Sequence, residues 1–154
     1  MKKTRFYLAL YIGEGHFLDK LIRWWTGSLY SHCEIYDSKL GFCHSSSYRD
    51  GGVRYKLIKV ERNPNWYLKR IDIGNDDEIL NNLCNKNIGK YDVMNLFFTH
   101  FFKCNTHHKD KYTCAEYCAE IIGLENAHKY SPATLKTELS TLNMDESMEK
   151  CDYD

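Results

Sequence analysis

Two short stretches hold the residue types of nucleophilic chemistry. Ser31-His32-Cys33-Glu34 opens a run that reads as a strand. Side chains alternate there, so His32 and Glu34 share one face while Cys33 and Ile35 share the other. A carboxylate two residues from an imidazole on one face can hold the ring in one tautomer and make it more basic. Tyr112-Thr113-Cys114-Ala115-Glu116-Tyr117-Cys118 reads as the start of a helix, with Thr113 as N-cap and Cys114 in the first turn. Unpaired amides and the helix dipole stabilise a thiolate at that position. The same amides can hold an oxyanion formed beside the sulfur. Cys118, one turn on, falls on the same side but deeper, where a cysteine is core. Taken singly, His32 also fits a half-exposed strand and Cys114 a buried thiol. Together, with histidine preceding cysteine in the chain, they make the nucleophile, base and orienter of thiol acyl transfer.

A different use of the same thiols is a structural zinc site. Cys104, His107, Cys114 and Cys118 supply four soft ligands, the number a tetrahedral Zn²⁺ takes. The spacing is not that of paired knuckles, and His107-His108 beside Lys109-Asp110-Lys111 also reads as a solvated loop. Phe97, Phe98, Phe101 and Phe102 fit a core helix, with an acyl-binding or membrane-contacting face as the other use of such a stripe.

The elements that position these groups come from a chain of 154 residues, the size of one domain. Lys+Arg and Asp+Glu both total 21, which removes the electrostatic case for nucleic acid or an anionic membrane surface as partner. Hydrophobic residues at 43% and aromatics at 14% supply a core. Seven cysteines, an odd number, with no secretory signal or spanning segment in the sequence, predict reduced thiols and a cytoplasmic setting. Strands are expected at 6–12, 31–36, 41–44, 53–60 and 66–73, with a Ser-rich loop at 45–52. Helices are expected at 16–25, from the Asn75 cap to Gly89, at 93–102, at 113–122 and at 133–142. Lys103–Lys111 reads as a polar loop. The order predicts an α+β domain over residues 1–142, an antiparallel sheet backed by helices, with 143–154 as an acidic, flexible tail.

With these pieces in order, the chain resembles the permuted branch of the NlpC-type papain-like cysteine peptidase and amidase superfamily. Its YiiX-like and lecithin:retinol acyltransferase-like members include many short phage and other microbial proteins. The matching pieces are Leu21-Ile22-Arg23-Trp24-Trp25-Thr26, Ser31-His32-Cys33-Glu34-Ile35, Ser45 through Arg54, Gly89-Lys90-Tyr91-Asp92, Tyr112-Thr113-Cys114-Ala115-Glu116 and Tyr130-Ser131-Pro132-Ala133. They cover residues 5–140. The resemblance implies a papain-like, circularly permuted fold with Cys114 as nucleophile, His32 as base and a third polar residue orienting His32. Glu34 takes that place in the YiiX-like pattern and His44 in the acyltransferase-like one. Glu34 is the better choice, because a carboxylate stabilises an imidazolium more than a neutral imidazole does. Trp24, Ser31, Arg49, Asp50 and Tyr112 are expected at the substrate cleft, although Arg49, Asp50 and Arg54 also read as a salt-bridged hairpin loop. The expected reaction is hydrolysis or acyl transfer at a peptide, amide or ester, without metal or organic cofactor. Cell-wall peptide, lipid ester and host protein all remain open as substrates, and a viral member would work in the host cytoplasm. A papain-like fold kept only as a binding or inhibitory module is the non-enzymatic alternative.

Overall fold

A computed structural model describes residues 5–47, 49–73, 75–86, 90–91 and 111–151. The strands are β1 (Phe6–Tyr11), β2 (His32–Asp37), β3 (Phe42–Ser47), β4 (Gly52–Leu57), β5 (Trp66–Arg70), β6 (Lys90–Tyr91) and β7 (Lys111–Tyr112). They form one sheet in the order β5-β1-β2-β3-β4-β6-β7. The first five are antiparallel neighbours, and β6 extends β4 antiparallel before pairing parallel with β7. The helices are α1 (Phe17–Thr26), α2 (Asp76–Asn85), α3 (Cys114–Ile122) and α4 (Pro132–Cys151). The fold is α+β, with an antiparallel sheet and helices. No helix among the described residues is long and apolar enough to cross a membrane.

Alternation in the strands divides the sheet into two faces. Phe6, Leu8 and Leu10 of β1 and Cys33 and Ile35 of β2 join Ile79 and Leu83 of α2, most of α3, and Leu135 and Leu139 of α4 in the main core. The opposite face carries a smaller cluster of Ala9, Tyr36, Cys43 and Val60. His32 and Glu34 therefore stand on the face away from the main core, in phase with Tyr36, as period-two geometry requires.

Helix α3 is built to lie deep. Every residue but Glu120 is buried, and the small residues Cys114, Ala115, Cys118 and Ala119 let its backbone approach the sheet. Its start is fixed by a reciprocal box in which Thr113 Oγ1 accepts from the Glu116 amide at 3.2 Å and Glu116 Oε2 accepts from the Thr113 amide at 3.3 Å. It stops at Gly123, whose φ of 86° is the left-handed conformation glycine adopts without cost. One serine ties this helix entry to the sheet, and its neighbour braces β3 against β2. Ser46 Oγ donates to Tyr112 O at 2.8 Å, and Ser45 Oγ donates to Cys33 O at 2.7 Å.

Those serines correct an expectation. Residues 45–47 belong to β3 rather than to the loop, because each buried hydroxyl of Ser45 and Ser46 finds a backbone carbonyl, and buried polar groups tolerate a strand only when so paired. The expected strand at 53–60 ends at Leu57, and Val60–Arg62 forms a 3₁₀ turn instead. The strand from Trp66 ends at Arg70, and the chain leaves it toward α4, where Asn143 Nδ2 donates to Arg70 O at 3.0 Å. The last helix continues past 142 to Cys151, since residues 143–151 hold neither glycine nor proline. The helix expected at 93–102, its phenylalanines and nearly all of the loop after it lie outside the described residues.

Tyr117 provides a test of this packing. It is fully buried, its ring meets Tyr112 edge-on at 6.1 Å, and among the described residues its hydroxyl has no hydrogen-bond partner. An unpaired buried hydroxyl costs about 1–3 kcal/mol. Tyr117→Phe is therefore expected to leave thermal stability unchanged or raise it, whereas Tyr117→Ala should lower it by about 3–5 kcal/mol. Chemical denaturation of the two variants checks this, and a clear loss in the phenylalanine variant would show a partner for the hydroxyl.

Candidate functional site

The site forms where the first residue of β2 meets the first residue of α3. His32 lies opposite Tyr11 in the β1–β2 ladder, at the strand end from which its ring reaches the helix start. Two residues on, Glu34 is buried, at 1% exposure. A buried carboxylate needs partners, and Glu34 has three donors. Arg54 Nη1 and Nη2 donate to its two oxygens at 2.8 and 2.7 Å, and His32 Nε2 lies 3.1 Å from Oε1. Burial alone would raise the Glu34 pKa. The hydrogen bonds and charges of Arg54 and His32 override it and bring the value down to about 2.

That pairing orients the ring. An ionised carboxylate only accepts, so His32 Nε2 carries the proton directed at Glu34. Nδ1 is then the nitrogen left to serve the sulfur of Cys114, with which His32 is hydrogen-bonded. Burial lowers the His32 pKa, but the Cys114 charge and the hydrogen bonds from Cys114 and Glu34 raise it to about 10. The Cys114 sulfur is held well below the ordinary thiol range by hydrogen bonding from Cys33, against burial and with the help of His32 and the Cys33 backbone. Cys114 is also the first residue of α3, where the helix leaves early amides without intrahelical acceptors. Both shifts favour the charged forms, Cys114 down and His32 up, so the arrangement can offer a nucleophilic sulfur beside a ring that carries a proton.

A cleft of about 270 Å³ opens beside this pair. His32, Glu34 and Arg54 line it, with Tyr11, Trp66, Leu18 and Ile22 as its apolar walls. Trp66 sets its ring edge-on to Tyr11 at 5.2 Å and to His32 at 6.5 Å. Cys114 is 5% exposed and is not itself a wall. His32 is the residue common to the cleft and to the sulfur.

The expected site residues divide clearly. Cys114, His32 and Glu34 come together. Ser31, Arg49 and Asp50 line the cleft, and the salt-bridged hairpin is also present: Asp50 accepts from Arg54 Nε at 2.9 Å and pairs with Lys56. His44 is not near enough to orient His32. It pairs in register with Ile35, so it projects from the other face of the sheet, beside the Tyr55 ring. Trp24 is 81% exposed on α1 and lies outside the cleft. Tyr112 packs on Tyr117 and lies outside it too. Of the zinc set, Cys104 and His107 fall outside the described residues, while Cys114 and Cys118 both hydrogen-bond Cys33. Among the described residues no group of three or more His, Cys, Asp or Glu side chains is placed to hold a metal ion.

The sequence reasoning missed Asp19. Its carboxylate is buried in the cleft wall, accepting from Ser31 Oγ at 3.2 Å and from the His16 amide at 2.8 Å, and pairing with Arg49. The available signal was an acid in the first turn of α1, three residues after its cap.

The electrostatics give a pH test. Glu34 ionises at about 2 in the fold against an ordinary 4.5, so its contribution to stability is complete above 4.5 and is lost as pH falls toward 2. Wild type should therefore lose stability relative to Glu34→Gln across that acid range. In the same variant Arg54 faces His32 without a carboxylate between them, so the His32 ring-proton titration should move down from about 10. Proton NMR reads it, and an unmoved midpoint would mean that Glu34 does not act on the ring.

No known protein-family model matches this chain, and neither does any curated protein sequence.

Proposed function

We propose that this chain is a thiol-dependent acyl-transfer enzyme, a hydrolase or acyltransferase of the papain-like kind. The observation that carries the proposal is one ring serving two partners: His32 hydrogen-bonds both the Cys114 sulfur and the buried Glu34 carboxylate. The circularly permuted NlpC-type relationship rests on the resemblance, and the histidine-before-cysteine order on strand and helix is what that relationship implies.

In the reaction, the Cys114 thiolate attacks the carbonyl carbon of an amide or ester. The carbonyl electron pair moves onto oxygen, where the Cys114 backbone amide donates to it. As the tetrahedral species collapses, the bond to the leaving nitrogen or oxygen breaks and His32 gives that atom its proton. His32, now neutral, takes a proton from water or an acceptor amine or alcohol, which attacks the thioester and releases Cys114 as thiolate. Glu34 keeps the ring oriented and stabilises its charged form, and Arg54 keeps Glu34 ionised. Substrates are peptides, amides or esters, with cell-wall peptide, lipid and host protein as the classes that fit a thiol enzyme of this kind. The neutral charge and the unpaired cysteines among the described residues suit a cytoplasmic setting.

One observation favours a second reading, a papain-like module that binds without catalysing: Cys114 is only 5% exposed. Alkylation separates the two. A thiolate at neutral pH should react with iodoacetamide about tenfold faster than a model thiol, which is only a few per cent ionised there. Mass spectrometry should place the label on Cys114, and Cys114→Ala should abolish both fast labelling and hydrolysis of thiol-enzyme ester substrates. Labelling no faster than the model thiol would overturn the catalytic reading. Glu34→Gln should reduce turnover by about 10²-fold or more, while His44→Ala should leave it within about twofold.

A further inference from the structure

The cleft beside His32 holds three carboxylates, Asp19, Glu34 and Asp50, and three fixed cations, Arg49, Arg54 and Lys56. By count they cancel. By depth they do not. The Glu34 and Asp19 side chains are 1% and 9% exposed, while those of Arg49 and Lys56 are 56% and 52% exposed. Each acid is also satisfied from within the fold. Asp19 is held by a hydroxyl and a backbone amide in addition to Arg49. Asp50 is shared by Arg54 and Lys56, and Glu34 by Arg54 and His32. Asp19 and Glu34 thus serve as anchors at the base of the cleft, with Arg54 (14% exposed) beside Glu34, while Arg49 and Lys56 extend to its mouth, where Asp50 (21% exposed) also lies. Behind the mouth stand the apolar walls of Tyr11, Trp66, Leu18 and Ile22.

From this layering we infer that Arg49 and Lys56 recognise an acidic group on the substrate. The acyl donor or leaving group carries a carboxylate or phosphate beside an apolar body of modest size. The inference builds on the thiol acyl-transfer reading and names the substrate class of that site. A volume of about 270 Å³ corresponds to about nine waters at the liquid's ~30 Å³ each, enough for one side-chain-sized group with its charged end. A guanidinium meets carboxylate or phosphate in bidentate geometry, and an ammonium adds a movable point charge. Both cations line the cleft, Lys56 from β4 and Arg49 from the turn that precedes it.

Two experiments on the full chain test this. The first compares alkylation of Cys114 by iodoacetate, which is anionic, and iodoacetamide, which is neutral. Arg49→Gln/Lys56→Gln should lower the iodoacetate-to-iodoacetamide rate ratio about fivefold, with the iodoacetamide rate within about twofold of wild type. Salt at about 1 M, where the Debye length is about 3 Å, should shrink the ratio in wild type and change it little in the variant. The second experiment does not depend on the reactivity of Cys114. Phenylacetate, phenyl phosphate and phenylacetamide are titrated while the Trp66 indole N–H is followed by NMR, its signal assigned with Trp66→Phe. Both anions should shift it in wild type, the amide should not, and the double variant should respond to neither anion. A shift by only one anion would identify carboxylate or phosphate as the recognised group. An unchanged alkylation ratio in the variant, or equal binding of the neutral amide, would overturn the inference. Slow iodoacetamide labelling together with selective anion binding would overturn the enzyme and leave an acid-recognising cleft.

Discussion

A carboxylate in the middle of a sheet, cut off from water, has to be neutralised by partners that are themselves held in place. Glu34 is that group, and much of the local architecture follows from it. Arg54 can meet both of its oxygens only because β3 lies between β2 and β4 with a register that sets Arg54 on the Glu34 face. Arg54 in turn is steadied by Asp50 from the turn before β4. Replacing such a pair with well-packed apolar residues is often neutral or better for stability, whereas removing one partner is costly. What an apolar replacement would forfeit here is the hydrogen bond to His32, and with it the orientation of the ring toward Cys114.

The two halves of the site are positioned by different physics. His32 is placed by a strand end and an ion network on the face away from the main core. Cys114 is placed by helix packing on the core face, with the Thr113–Glu116 box and the Ser46–Tyr112 hydrogen bond setting the height of the helix start. Those faces meet at the end of the central strands, and His32, at the first position of β2, is the side chain that bridges them. A thiol buried by packing and a ring held by charge thus become a single unit. Neither half alone would separate this site from an ordinary buried cysteine and a strand histidine.

Much of this was legible in the residues. The alternation of His32 and Glu34, the Thr113 cap and the helix end at 122 are local signals, and local rules found them. The serines at 45–47 were not legible as strand, because Ser-rich stretches favour loops unless a partner carbonyl is present. Those carbonyls, on Cys33 and Tyr112, come from 12 and 66 residues away in the chain. Asp19 was missed for the same reason: it reads as a helix cap until Ser31 and Arg49 arrive from other elements. Trp24 shows the opposite failure. Its helical phase relative to the cleft depends on how α1 docks, and that is set by packing rather than by its neighbours in sequence.

The parallel pairing of β6 with β7 has a consequence for how the sulfur is placed. Lys90 and Tyr91 sit beside Lys111 and Tyr112, so the chain leaves the sheet edge and returns to the same edge two residues before the sulfur. Because Tyr112 is also bonded to Ser46, the approach to Cys114 is held twice, by the β6–β7 pairing and by the serine hydroxyl. The height of the sulfur above the sheet is thus set where the chain re-enters the sheet, before the Thr113–Glu116 box begins the helix.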